Sequence, residues 1–127
     1  MIMRADLIDI TDGYVRLKTD FGIFHGNWMS DVKPINARYL IEINCDTVTD
    51  ENQIQLSAKK QPFIRDYGDY SLINAFVEEI EDNVIFLRLS YSLMMVDFLC
   101  DINSVKFQNQ WVTVKVHRLE IYGELIN

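Results

Sequence analysis

The run Trp111-Val112-Thr113-Val114-Lys115-Val116-His117 puts three valines at every second position, with Thr113, Lys115 and His117 between them. A helix would scatter those valines around its axis, whereas in a strand successive side chains point to opposite faces. The same period recurs along the chain. Val15 and Leu17 alternate with Tyr14, Arg16 and Lys18. Tyr39, Ile41, Ile43 and Cys45 alternate with Arg38, Glu42 and Asn44, and only Leu40 breaks the pattern. Asp12-Gly13 suits the positive φ angles of a tight hairpin, so Asp6–Ile10 is expected to pair with the strand that follows it. Phe21–Trp28 reads as a third strand, in which Gly22 and Gly26 mark a bulge or a bend.

Between these runs lie polar connectors. Ser30–Asn36, with Pro34, is a loop, and Asp46–Asn52 is a second. Ile54, Leu56 and Ala58 mark a short strand, which Lys59-Lys60-Gln61-Pro62 ends; Phe63-Ile64 is apolar, and Arg65–Tyr70 is a turn-rich, aromatic-rich loop. Residues 71–82 satisfy two templates. Leu72, Ile73, Phe76, Val77 and Ile80 fall at helical spacing behind a capping Ser71. The same residues form a strand that turns at Glu81-Asp82-Asn83 into Val84–Leu89, and the β-rich context on both sides favours that hairpin. Leu93–Cys100 is nearly apolar throughout and is expected to be buried on both faces; Asp101–Gln110 is a polar loop before the closing strands. The expected fold is all-β: an antiparallel sandwich or barrel of about eight to ten short strands, with at most one short helix. No internal repeat stands out.

Length and charge narrow the function. A chain of 127 residues, 49% hydrophobic, is expected to form a single domain over 1–127. No apolar run approaches the ~20 residues that cross a bilayer, and Met1–Asp6 lacks the ordered regions of a signal peptide, so a cytoplasmic location is expected. The two cysteines, Cys45 and Cys100, lie in apolar-patterned stretches and are expected to be reduced, buried and free of metal; His25 and His117 share no ligand motif with them. Net charge is −7, and residues 65–127 carry ten acids against five bases, which leaves −5 in that half. This balance opposes direct binding to nucleic acid or to an anionic membrane.

No catalytic constellation emerges, and no cofactor motif. The five glycines form no phosphate loop, no serine sits in a nucleophile elbow, and His117 falls on the outer face of its strand. Tryptophans Trp28 and Trp111 are expected in the core. What remains is a set of acids and aromatics in connectors: Asp46, Asp50, Glu51, Asp66, Tyr67, Asp69, Tyr70, Glu78, Glu79, Glu81 and Asp82. Carboxylates beside exposed aromatics suit recognition of a basic protein, although Tyr67 and Tyr70 equally suit packing of their own hairpin. The chain is therefore expected to be a binding protein rather than an enzyme.

Several stretches together resemble the small bacterial immunity proteins that accompany polymorphic or contact-dependent growth-inhibition toxins. They are Gly26-Asn27-Trp28 ahead of a proline loop, the Tyr39-to-Cys45 strand, the arm Asp82–Leu89, Ser92-Leu93-Met94-Met95, and Trp111-Val112-Thr113-Val114. The resemblance implies a non-enzymatic intracellular protein, monomer or homodimer, that binds and neutralises one cognate toxin domain, often a basic nuclease. It carries no site residues with it. The alternatives are an oligonucleotide-binding-like barrel, against which the lack of basic pairs other than Lys59-Lys60 counts, or a small-ligand barrel lined by residues such as Phe86, Met94, Met95 and Phe98.

Overall fold

The structure, a computed structural model, describes residues 2–126. Its strands are β1 (Ile2–Thr11), β2 (Tyr14–Thr19), β3 (Gly22–Trp28), β4 (Arg38–Cys45), β5 (Ile54–Leu56), β6 (Phe63–Asp66), β7 (Ser71–Glu81), β8 (Val84–Leu89), β9 (Ser92–Asp97), β10 (Trp111–Val116) and β11 (Leu119–Leu125). One helical turn, α1 (Ser104–Phe107), precedes β10, and a 3-10 turn (Glu51–Gln53) precedes β5. Strands β1-β2-β3-β11-β4 close into a barrel, and β5-β10-β7-β8-β9 form a second sheet with β6 added to the edge of β7. Among the described residues no helix is long and apolar enough to cross a membrane.

The all-β expectation holds, with the ambiguous stretch forming strand β7 over Ser71–Glu81. The hairpin turn is Asp82-Asn83, both at positive φ (47° and 63°), and it matches Asp12-Gly13 (46° and 83°). Both positions of such a turn need left-handed backbone, which Asp, Asn and Gly adopt at least cost.

That match extends through the chain, and it overturns the expectation of no repeat. Strands β2 and β8 begin 70 residues apart (Tyr14 and Val84), as do β3 and β9 (Gly22 and Ser92). Both β1 and β7 shift register at the same place, between Leu7 and Asp9 and between Val77 and Glu79. The fourth strands return in one register: Asp6 faces Arg38 and Ala5 faces Tyr39, as Phe76 faces Trp111 and Ala75 faces Val112. Loop bonds repeat as well. The Leu7 amide donates to the Ala37 carbonyl and the Val77 amide to that of Gln110; the Trp28 amide donates to Gly13 and that of Phe98 to Asn83. The molecule is two copies of one four-stranded unit, which we call the first (from β1) and the second (from β7).

Each unit is completed by the other. After β4 the chain crosses to the second unit, where Val48 bridges Phe98 in parallel and β5 pairs with β10. After β10 it crosses back as β11, which pairs with β4 and runs parallel to β3 with Ile121 opposite Trp28. The Leu99 amide donates to Val48 in one unit as the Met29 amide donates to Ile121 in the other. This reciprocal exchange interlocks the units, and one hydrophobic cluster runs through both. The paired positions Ala5 and Ala75, Leu7 and Val77, Val15 and Ile85, Leu17 and Leu87, and Phe24 and Met94 are all buried. Each large apolar side chain taken wholly out of water contributes about 1.5–3 kcal/mol.

The eleven strands among the described residues agree with the expected fold of about eight to ten, Phe63–Asp66 adding one by pairing with β7. Several expectations need correction. Residues 93–100 are not buried on both faces: β9 ends its sheet, and Leu93, Met95 and Asp97 are exposed. Strand β10 lies inside its sheet, one strand from the end, while β7 occupies the centre. The loop Asp101–Gln110 contains α1, capped by Asn103. Cys45 and Cys100 are partly rather than fully buried. Trp28 and Trp111 are partly exposed too. Trp28 packs edge-on against Tyr39 at 5.1 Å and lies so close over Gly123 that a Cβ there would fall 2.1 Å from its ring. Trp111 belongs to the outer face of the second sheet.

Candidate functional site

The register of the second sheet defines that outer face. Inward go Ile85, Leu87, Met94 and Val96; outward, across β10-β7-β8-β9, come three rows. Trp111, Phe76, Arg88 and Leu93 form the first, Glu79, Phe86 and Met95 the second, and Glu81, Val84 and Asp97 the third. Trp111 and Phe76 meet edge to face at 6.0 Å. Met95 is 60% exposed and Leu93 37%. The face is thus an apolar and aromatic strip bordered by carboxylates. Glu78, the residue of the register shift, reaches Arg88 Nη2 at 2.6 Å, which ties the strip's one cation to an acid. Burial first, and then the carboxylates of Asp46 and Asp97, together push the Cys45 thiol up to about 12.

A second feature lies where the units meet. A cleft of about 320 Å³ is lined by Tyr14, His25, Asn27, Asp69, Tyr70, His117 and Arg118, among others. Its walls come from both units: His25 is on β3 and Asp66 ends β6, yet His25 Nδ1 and Asp66 Oδ2 are 2.5 Å apart. Asp66 Oδ1 also accepts from the Gly68 amide at 2.7 Å, folding the loop that follows. In that loop Tyr67 and Tyr70 stack at 5.1 Å, and the Lys115 ammonium sits 4.3 Å from the Tyr70 ring centre, a cation–π contact. In the amide orientation its neighbours require, Asn27 accepts from Arg118 Nε at 2.7 Å and Nη2 at 3.2 Å. Among the described residues no group of three His, Cys, Asp or Glu side chains is placed to hold a metal ion.

The acids and tyrosines expected to contact a partner divide among four places. Asp46 accepts from the backbone amides of His117 and Arg118 (3.1 and 2.8 Å) and so shapes the β10–β11 turn. Asp50 caps the 3-10 turn through the Asn52 amide, with Glu51 exposed beside it. Asp66, Tyr67, Asp69 and Tyr70 belong to the seam, where Asp66 is engaged with His25 and the tyrosines with each other. Glu78, Glu79, Glu81 and Asp82 border the outer face or its turn, and all four are exposed. Asp46, Asp50 and Asp66 thus each hold local structure, which their sequence neighbours did not disclose.

Sequence reasoning passed over the apolar side chains that make the second sheet's strip, because Phe76, Phe86 and Trp111 look like core in a one-dimensional pattern. It also kept His25 and His117 apart, whereas both line one cleft. The residues suggested for a ligand barrel divide as well: Met94 and Phe98 are buried, while Phe86 and Met95 face outward. Compared with known protein families, with curated proteins and with solved structures, the chain matches none.

Proposed function

We propose that this protein is a non-enzymatic binding protein whose outer face on the second sheet engages a basic protein, as an immunity protein engages the toxin domain it neutralises. One observation carries this: on that face Trp111, Phe76, Phe86, Met95 and Leu93 lie together while Glu78, Glu79, Glu81 and Asp97 border them. Exposed aromatic and methionine side chains in one patch are what interfaces bury at their centres. A carboxylate rim steers a cationic partner and disfavours an acidic one. A nuclease domain, basic because it grips phosphates, has the complementary surface.

The test is co-expression with a basic, nuclease-type toxin domain. Cells should survive with the wild-type protein, and the two chains should co-elute on size exclusion. Phe86→Arg should impair both, and raising salt from low to physiological should slow association as the Debye length falls toward ~8 Å. Survival that is indifferent to this protein, with no complex formed, would refute the proposal. A small-ligand reading is favoured by a different feature, the cleft between the units.

A further inference from the structure

The cleft between the units holds polar groups that the fold does not require. Because the two units follow one plan, each position in the first has a counterpart in the second. Tyr14 and His25 correspond to Val84 and Met95, 70 residues on; His117 and Arg118 correspond to Asn44 and Cys45, 73 residues back, the offset of Arg38 from Trp111. At each of these places the other unit builds the same strand in the same register without an imidazole, a guanidinium or a phenol. The set in the cleft therefore owes nothing to strand formation.

Its chemistry is directional. His25 Nδ1 donates to Asp66, which fixes the ring and leaves Nε2 for a ligand, as an N–H donor when the ring is doubly protonated. The His117 backbone is held by Asp46, and among the described residues its ring makes no hydrogen bond. Asn27 accepts from Arg118 Nε and Nη2 and the Glu120 carboxylate lies 3.8 Å from Nη2, which orients the guanidinium and leaves Nη1 without a partner among the described residues. Three nitrogen-bearing side chains, His25 on β3 and the neighbouring His117 and Arg118 on the β10–β11 turn, thus line a space of about 320 Å³, in a protein whose net charge is −7. A planar carboxylate would occupy two such donors; a phosphate offers an oxygen to each, and charge-assisted bonds of this kind are the strong ones. Asp69, exposed on the same wall, repels a bare anion but accepts from a hydroxyl. Tyr14, 53% exposed and with its ring centre 6.2 Å from that of His25, supplies a flat apolar surface for the rest of the molecule.

We infer that this cleft binds a small hydroxylated phosphate monoester, the phosphate on Arg118, His117 and His25 and a hydroxyl on Asp69. This site is separate from the outer face of the second sheet, and its test uses the chain alone, so either can fail without the other. The probes are ribose 5-phosphate, inorganic phosphate and ribose, followed by NMR of the histidine ring and backbone amide resonances at constant ionic strength. Ribose 5-phosphate should give saturable shifts centred on His25 and His117, inorganic phosphate weaker ones, and ribose none. Arg118→Gln and His117→Gln should each weaken ribose 5-phosphate binding about tenfold. Asp69→Asn should weaken ribose 5-phosphate yet leave or strengthen inorganic phosphate. His117→Gln keeps the test decisive if Arg118→Gln disturbs the fold, since the His117 ring contributes no structural bond. Shifts that grow linearly and are reproduced by sodium chloride, or wild-type binding by both variants, would overturn the inference.

Discussion

The two units share a skeleton and a core but present opposite chemistry on their outer faces. At one position the first unit has an ion pair, Arg38 Nε to Asp6 Oδ1 at 3.1 Å; the second has Trp111 against Phe76. The row Asp9, Arg16 and His25 in the first becomes Glu79, Phe86 and Met95 in the second. Inward positions, by contrast, keep their character: Leu17 and Leu87 are identical and both fully buried. The inner alternation specifies the strand register, since a one-residue slip would turn every core side chain to water. The outer positions are free to vary, and there the units have diverged into a charged surface and an apolar one.

If the two cores are equivalent, equal truncations should have equal effects. Leu17→Ala and Leu87→Ala each leave a cavity in a site with no solvent access, and each should cost about 2–5 kcal/mol. Urea denaturation should show one cooperative transition for both, because the exchanged strands leave neither unit complete alone. Two separated transitions, or a silent substitution in one unit, would break the comparison.

A sharper contrast lies where each unit receives the other. Gly22 has φ +135°, and a Cβ there would fall 2.3 Å from the Ile64 carbonyl oxygen, whose residue donates its own amide to Phe21. Its counterpart Ser92 instead donates its hydroxyl to the Ile2 carbonyl at 2.8 Å. Gly22→Ala should therefore cost roughly 2–4 kcal/mol through strain and overlap. Ser92→Gly, which loses one exposed bond, should cost about 1 kcal/mol or less. Equal effects in thermal melts would mean that the docking of β6 on β3 is loose.

The outer faces should show the reverse pattern, with little effect on folding and much on binding. Phe86→Arg installs the residue of the first unit, Arg16, at a position already partly exposed, and should cost about 1 kcal/mol of stability. It should weaken the proposed partner by tenfold or more, as loss of an aromatic anchor does. Arg16→Phe in the first unit should change neither by much. Calorimetry of the folded variants against the partner separates the two effects.

How much of this was legible beforehand follows from the same comparison. Alternation disclosed the strands wherever one face meets water, as in Tyr14–Lys18 and Trp111–Val116. It failed at Leu93–Asp97, where the outward Leu93 and Met95 are themselves apolar, so a half-exposed strand imitates a buried one. The duplication escaped because few paired residues are identical. Ala5 and Ala75, Ile10 and Ile80, Asp12 and Asp82, and Leu17 and Leu87 are, but most pairs agree only in kind, as Trp28 with Phe98 or Lys18 with Arg88. The seam was invisible in principle: His25, Asp66 and His117 meet only because β6 docks on β3 and β11 returns to the first unit.

The thiols give the finest version of the comparison. Cys45 ends β4 in the first unit, while Cys100 follows β9 in the second and lines a cavity of about 500 Å³ with Phe98 and Ile102. For Cys45, burial and then the carboxylates of Asp46 and Asp97 raise the thiol from its ordinary 9.0 to about 12. Thiolate is the reactive form, so Cys45 should label more slowly than Cys100 in native buffer at pH 8, and both should label rapidly in denaturant. The same shift links Cys45 to stability. With the folded value above the unfolded one, the neutral thiol favours the folded state in full below about pH 9, and this contribution is lost as pH rises toward 12. Between pH 8 and pH 10 the loss should be at most about 1 kcal/mol, because the site is only partly shielded. Cys45→Ala should flatten that segment of the urea-midpoint profile, whereas Cys100→Ala should leave it unchanged. Faster native labelling at Cys45 than at Cys100 would show that the end of β4 opens to solvent, and that the crossing from the first unit to the second is the looser of the two exchanges.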